Sequence, residues 1–338
     1  MSRVFAAWNN NVDVLLKSTS GGVFSLIAEA VLSDGGIVVG AAIDSVDQRV
    51  NHVFVDDKNA LESLRGSKYH QSNIGTSMRR VKDELRNNRL VLFSGTPCQV
   101  AGLYRYLETE KVDTSKLYTV DVLCHGVTSY IVVSSYIKSM EARFHKKVSS
   151  IKFRTKELPW YKSGSSMTLF FDDGTKEIIH NLKDRFYIAY NNNIILRPSC
   201  YSCRYTKMDG RNTDFTIADY WGAEDRVTSK EALRNGVSIV MVHNEKAEQL
   251  LNRLEGKMTT LPVDTSTITR RNGAFVSPVP CPPDRDEIME ELSNKDFFQC
   301  INTHRPKTIR KNMIKYVLGY DNCKRISKIK RRIKKADA

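Results

Sequence analysis

Leu90-Val91-Leu92-Phe93-Ser94-Gly95 reads as an apolar strand that ends in a Gly-Thr-Pro turn and delivers Cys98 just beyond it. A helix from about Gln99 to Leu107 follows, and then a second apolar strand, Tyr118-Thr119-Val120-Asp121-Val122-Leu123, with Cys124 directly after it. Strand, helix and strand at this spacing predict a parallel βαβ unit. If the two strands are neighbours, Cys98 and Cys124 emerge at one carboxyl edge of the sheet, where open α/β sheets bind their ligands.

Toward the N-terminus, Ser20-Gly21-Gly22 precedes an apolar-periodic run from Val23 to Leu32 that predicts a helix. Asp34-Gly35-Gly36 stops it, and Ile37-Val38-Val39-Gly40-Ala41-Ala42 reads as a buried strand. His52-Val53-Phe54-Val55 is a further strand, with helices expected over 58–65 and 75–88. Toward the C-terminus the pattern turns to strands at 150–154, 166–172 and 177–180, with Asp172-Asp173-Gly174 as a hairpin turn, and again at 215–219 and 237–242. The expected fold is α/β: a mixed sheet with a parallel βαβ core, an antiparallel hairpin region and a basic C-terminal helical extension. The body is expected to end near 262, in halves of about 1–90 and 91–262, with a Pro-rich linker and basic amphipathic segment over 263–338.

Net charge is +14, but residues 303–338 carry 13 Lys/Arg against two Asp, so that segment holds +11 and the remaining 302 residues +3. A near-neutral body gives no basis for nucleic-acid binding. In the tail, Ile326, Ile329 and Ile333 recur at helical spacing among cations. That pattern suits docking to an anionic membrane surface or an acidic partner, and equally a solvated tail. No stretch approaches the roughly 18 apolar residues of a membrane span. The N-terminus lacks a secretory pattern, so a cytoplasmic protein is expected, peripheral at the inner membrane face if the tail docks there.

Seven cysteines stand at 98, 124, 200, 203, 281, 300 and 323, an odd count that argues against a disulfide framework. Cys200 and Cys203 form a C-x-x-C pair. With Cys98 and Cys124 they make four thiolates, which suit tetrahedral zinc or an iron–sulfur cluster. A redox dithiol, or small buried core residues, would account for the same cysteines. Cys281, Cys300 and Cys323 read as incidental. Ser20-Gly21-Gly22 is either an ordinary helix start or a phosphate site.

Six motifs then occur in order: Lys17-Ser18-Thr19-Ser20-Gly21-Gly22-Val23-Phe24, Leu64-Arg65-Gly66-Ser67-Lys68-Tyr69, Ser94-Gly95-Thr96-Pro97-Cys98-Gln99, Leu123-Cys124-His125-Gly126-Val127, Leu196-Arg197-Pro198-Ser199-Cys200-Tyr201-Ser202-Cys203 and Asp219-Tyr220-Trp221-Gly222. Together, over residues 4–245, they resemble the coenzyme F420 hydrogenase/dehydrogenase beta-subunit family. The resemblance implies a flavoprotein with FAD and a [4Fe–4S] cluster that passes electrons between cluster, flavin and a substrate such as coenzyme F420. By motif match, Cys98, Cys124, Cys200 and Cys203 are the implied cluster ligands, and Ser18, Ser20, Gly21, Gly22, Lys68, Ser72, Gly95 and Thr96 the implied flavin contacts. His125 is expected either to move a proton or tune the flavin, or to serve as a structural histidine; Trp221 is expected to pack a core. Many relatives resemble fusions with an N-terminal ferredoxin-like segment, and none precedes Trp8 here. Electrons are therefore expected from a partner such as a ferredoxin or a hydrogenase/dehydrogenase subunit. Relatives of this kind also resemble proteins associated with surface polysaccharide assembly, which makes a biosynthetic substrate the other expectation. A non-catalytic electron-transfer subunit and a zinc-stabilised scaffold are the competing classes.

Overall fold

A computed structural model describes residues 3–158, 166–208, 210–269, 271–319, 322–323 and 326. In chain order the strands are β1 Arg3–Asn9, β2 Ile37–Ile43, β3 Val50–Val55, β4 Val91–Gly95, β5 Leu117–Val122, β6 Val148–Thr155, β7 Ser166–Phe171, β8 Lys176–His180, β9 Phe215–Asp219, β10 Ser238–Val242 and β11 Met258–Pro262. Eight of them form a sheet in the order β11-β1-β10-β9-β5-β4-β2-β3, and β6-β7-β8 form a second, antiparallel sheet. β2, β4, β5 and β9 pair in parallel. β10 runs antiparallel to β9 and β1 antiparallel to β10, so β1 again points the same way as β4 and β5.

The central strands are largely apolar because both faces are covered. Side chains alternate along a strand. Leu92 accordingly packs with Val23, Ile27, Val31 and Leu250, from the helices Val23–Ser33 and Glu245–Asn252. Its neighbours Val91 and Phe93 pack on the other face with Val81, Leu85, Val100 and Leu103, from the helices Ser77–Arg86 and Pro97–Thr109. The mixed sheet, parallel core and hairpin thus match the sequence-based expectation. The segment predicted helical over 58–65 is instead a 3-10 turn, Ala60–Leu64. β1 and the helix Tyr130–Phe144 are additional elements.

A second core joins β6 and β7 to the helices Tyr130–Phe144 and Arg185–Asn191. Two helices beyond Pro262 complete it: Arg285–Asn294 and Phe297–His304 contribute Ile288, Leu292, Phe297, Cys300 and Ile301. Residues 285–304 are therefore packed structure, and Cys300 is fully buried. The helix Pro306–Leu318 buries none of its side chains. Apart from Ile326, the expected basic helix lies outside the described residues. No helix among the described residues is long and apolar enough to cross a membrane.

Phe297 sits at 0% exposure against Tyr136. Phe297→Ala should cost about 3–5 kcal/mol, read as a lower urea midpoint in one cooperative transition; a variant unfolding at the wild-type midpoint would show that residues 285–304 do not belong to the core. Asp184 is buried beneath the Tyr136 hydroxyl, and burial lifts its carboxyl from 3.8 to about 6. Between those values the unfolded chain ionises while the folded chain keeps its proton, so stability should fall as pH rises from about 4 to 6. Asp184→Asn should flatten that slope in denaturant titrations across the window.

Candidate functional site

β4 and β5 pair with Gly95 opposite Asp121, so both strands end at one sheet edge. Cys98 leaves that edge in the first turn of the helix Pro97–Thr109. The start of this helix is fixed by a reciprocal cap in which the Thr96 amide donates to Gln99 Oε1 at 3.0 Å. Gln99 also donates to Ser72 Oγ at 2.8 Å, and Thr96 Oγ1 lies 3.1 Å from the Cys98 sulfur. Cys124 leaves the same edge two residues after β5, following Leu123, whose amide bonds Ile217 on β9.

The C-x-x-C pair reaches this edge from the second core. The Arg197 amide donates to the Val127 carbonyl at 2.9 Å, and the Tyr190 hydroxyl to the Gly126 carbonyl at 2.7 Å. A Cβ on Gly126, whose φ is +145°, would strike Leu196 and approach Cys200. Burial lifts the Cys124 thiol to about 12, with the Cys98 and Cys200 thiols adding to the shift. Cys200 is raised too, first by burial and also by Cys203 and Cys98. The four thiols thus lie close enough to act on one another's ionisation. Among the described residues, three ligand atoms of His, Cys, Asp or Glu all come within 4.8 Å of one another only at Glu291, Cys300 and His304, so no three of the four cysteine sulfurs do.

Asn9 closes β1 at the same edge and donates its amide to the Gly21 carbonyl at 2.7 Å. Ser20-Gly21-Gly22 is interlocked with the start of β10: Ser20 Oγ donates to the Val237 carbonyl and the Gly21 amide to Ser238 Oγ, both at 2.9 Å. A Cβ on Gly21 would meet the Ala7 carbonyl oxygen at 2.2 Å. Gly22 occupies the left-handed region at φ 73° and starts the helix Val23–Ser33 with no side-chain cap. Its first amides are therefore left for another acceptor. Ser18 Oγ donates to the Val14 carbonyl.

Lys68 donates to the carbonyls of Ser63, Leu64 and Arg65, and burial lowers its ammonium to about 7. The segment carrying Lys68 and Ser72 runs beside the Cys124 loop, with the Gln71 amide on Thr128 and the Thr128 amide on Tyr69. His125 Nε2 lies 2.8 Å from Asn193 Oδ1, and its ring packs on Tyr190. Burial lowers its pKa, so the ring is neutral near pH 7.

Three groups join the edge without having been singled out from sequence. Lys156 donates to the Ser20 and Leu15 carbonyls, and burial brings its ammonium to about 7. Arg154 pairs with Asp219 and lies over the Trp221 ring. His52 reaches the Ser94 carbonyl at 3.1 Å, while its buried Nδ1 has no partner. The Thr96-x-x-Gln99 capping box was the available signal for Gln99; Lys156 acts 136 residues from Ser20, where no local pattern reaches.

A family model for the C-terminal part of the coenzyme F420 hydrogenase/dehydrogenase beta subunit matches residues 88–266. The chain belongs to that family. Among solved structures, the F420-reducing [NiFe] hydrogenase complex from Methanosarcina barkeri holds a chain that superposes with a TM-score of 0.53 at 15% identity, over 89% of this chain and 90% of that one. At that identity the likeness is one of fold. No curated protein matches this chain.

Gly21→Ala should destabilise by about 3 kcal/mol, the upper end of overpacking costs, because the new methyl meets backbone on two strands. Gly273→Ala, where a Cβ meets nothing within 4 Å, is the control and should stay within about 0.5 kcal/mol of wild type. Equal midpoints for the two variants would refute the interlock.

Proposed function

We propose that this chain is a flavin- and iron–sulfur-dependent oxidoreductase, with Cys98, Cys124, Cys200 and Cys203 as ligands of a [4Fe–4S] cluster beside an FAD site. The observation that carries the reading is the gathering of four thiols, from two strand ends and one C-x-x-C turn, at the sheet edge that also holds the glycine turn. Four thiolates suit a cluster or a single zinc ion, and the family resemblance favours the cluster. In such a site the cluster would carry single electrons and the flavin would couple them to two-electron chemistry.

The chain's own residues support an extended anionic cofactor. The uncapped helix start at Gly22 offers backbone N–H groups, and Lys156, bonded to the Ser20 carbonyl, stands beside it. Gly21 lies over β1 and β10, four and three strand positions from β4, roughly 14–19 Å at ~4.8 Å per strand. A ligand touching both Gly22 and Gly95-Thr96 must be about that long, which suits a dinucleotide. Ser18, Ser20 and Lys68 already donate to backbone carbonyls and enter this reading as groups that shape the turn. Ser72 enters through Gln99. His125 is proposed to hold the Cys124 loop through Asn193, with proton transfer as the alternative role. Coenzyme F420 or a biosynthetic intermediate is the proposed substrate, and a ferredoxin or hydrogenase-type subunit the proposed partner. The neighbour's place in a hydrogenase complex favours such a partner.

Anaerobic purification with an absorption spectrum and iron, zinc and flavin analysis tests the reading. Flavin bands and about four irons per chain, as a Cys₄ [4Fe–4S] site requires, are expected. Cys124→Ser should lose most of the iron, whereas Cys281→Ser should keep it. A colourless chain holding zinc that Cys124→Ser removes would overturn the assignment in favour of a scaffold.

A further inference from the structure

The second core carries a side-chain group that the sheet-edge site does not use. Helix Arg285–Asn294 presents Glu291, and helix Phe297–His304 presents Cys300 and, one turn later, His304. One ligand atom from each lies within 4.8 Å of the other two. Residues four apart share a helix face, so Cys300 and His304 point toward the same neighbour. Cys300 is fully buried, and its thiol makes a long 3.8 Å approach to the Ile288 carbonyl. Glu291 Oε2 and His304 Nε2 are both buried atoms and stand 3.2 Å apart. A buried thiol, a buried imidazole nitrogen and a carboxylate oxygen thus meet at one point between the two helices. Thiolate, imidazole and carboxylate together are a zinc donor set.

We propose that Glu291, Cys300 and His304 bind a zinc ion that clasps the two helices, with water in the fourth position. Binding releases the Cys300 thiol proton to solvent and leaves the neutral imidazole of His304 as donor. Lys295 now lies 3.1 Å from Glu291 Oε2, but its side chain is half exposed and turns to solvent when the ion arrives. The clasp bears on the cysteine edge through the same helix. Arg285, at its first turn, donates to the Leu196 carbonyl at 2.9 Å and the Tyr201 hydroxyl at 3.0 Å, on either side of Cys200.

The test is zinc and iron content of the full chain, purified anaerobically, as wild type and as His304→Gln, Glu291→Gln and Cys300→Ser. Wild type is expected to hold about one zinc per chain, and each variant to bind it at least about tenfold less tightly with iron unchanged. Added zinc should raise the melting temperature of zinc-depleted wild type and leave His304→Gln unmoved. Glu291→Gln, at a partly exposed position, carries the readout if Cys300→Ser does not fold. Zinc retained in all folded variants, or a wild type that neither holds zinc nor is stabilised by it, overturns the clasp. Loss of zinc by Cys124→Ser instead would place the ion at the sheet edge and also overturn it.

Discussion

The parallel ladder through β4, β5 and β9 fixes where every candidate site residue emerges. Gly95 lies opposite Asp121, and Val122 opposite Ile217, so three strands end level along one edge. A parallel pair cannot close by a hairpin, and each return requires a crossover that packs on a face. The helix Pro97–Thr109 is such a crossover and carries Cys98 in its first turn. Because β10 and β1 reverse twice beyond β9, β1 also ends at this edge and brings the glycine turn with it. Sequence-distant motifs are thus neighbours through strand direction alone.

The second core supplies what the sheet cannot. Cys200 and Cys203 lie in a short turn with no strand to fix them. Hydrogen bonds from Arg197 to Val127 and from Tyr190 to Gly126 fasten their flank, and the Gly126 backbone is close enough that a side chain would collide with Leu196. Tyr190 belongs to the helix Arg185–Asn191, whose N-terminus is capped by buried Asp184 under Tyr136. Packing in a core that includes Phe153, Phe186 and Phe297, and against which Cys200 itself packs, therefore helps to set the position of the C-x-x-C turn.

Local pattern carried much of this architecture. The buried strands 90–95 and 118–123 were visible as apolar runs, and the C-x-x-C as a spacing. Other parts depend on contacts that no local window contains. β1 pairs with β10 across more than two hundred residues, and its continuous apolar run lacks the alternation that marks a half-buried strand. The prolines at 278–283 read as the start of a linker, yet the chain returns beyond them to bury Ile288 and Phe297. Lys68 reads as a free cation until its ammonium is seen capping three carbonyls at the end of a 3-10 turn.

The seam between the two sheets is charged where an apolar contact would have been less costly. Arg154 leaves β6 to pair with Asp219 at the end of β9, and Lys156 leaves the same strand's end to bond the carbonyls of Leu15 and Ser20. Beside that seam, within the large sheet, Arg211 from the loop before β9 pairs with Asp121 at the end of β5, both side chains at most 5% exposed. Buried ion pairs are weak contributors to stability, since desolvation offsets most of the attraction. Their geometry is demanding, however, and all three contacts lie at the carboxyl edge. A guanidinium or ammonium held by fixed partners sets the angle between the two cores more narrowly than interchangeable methyl contacts would. The seam also holds Lys156 against the glycine turn through the Ser20 carbonyl. The arrangement trades stability for orientation at the one edge where thiols, glycines and an uncapped helix start meet.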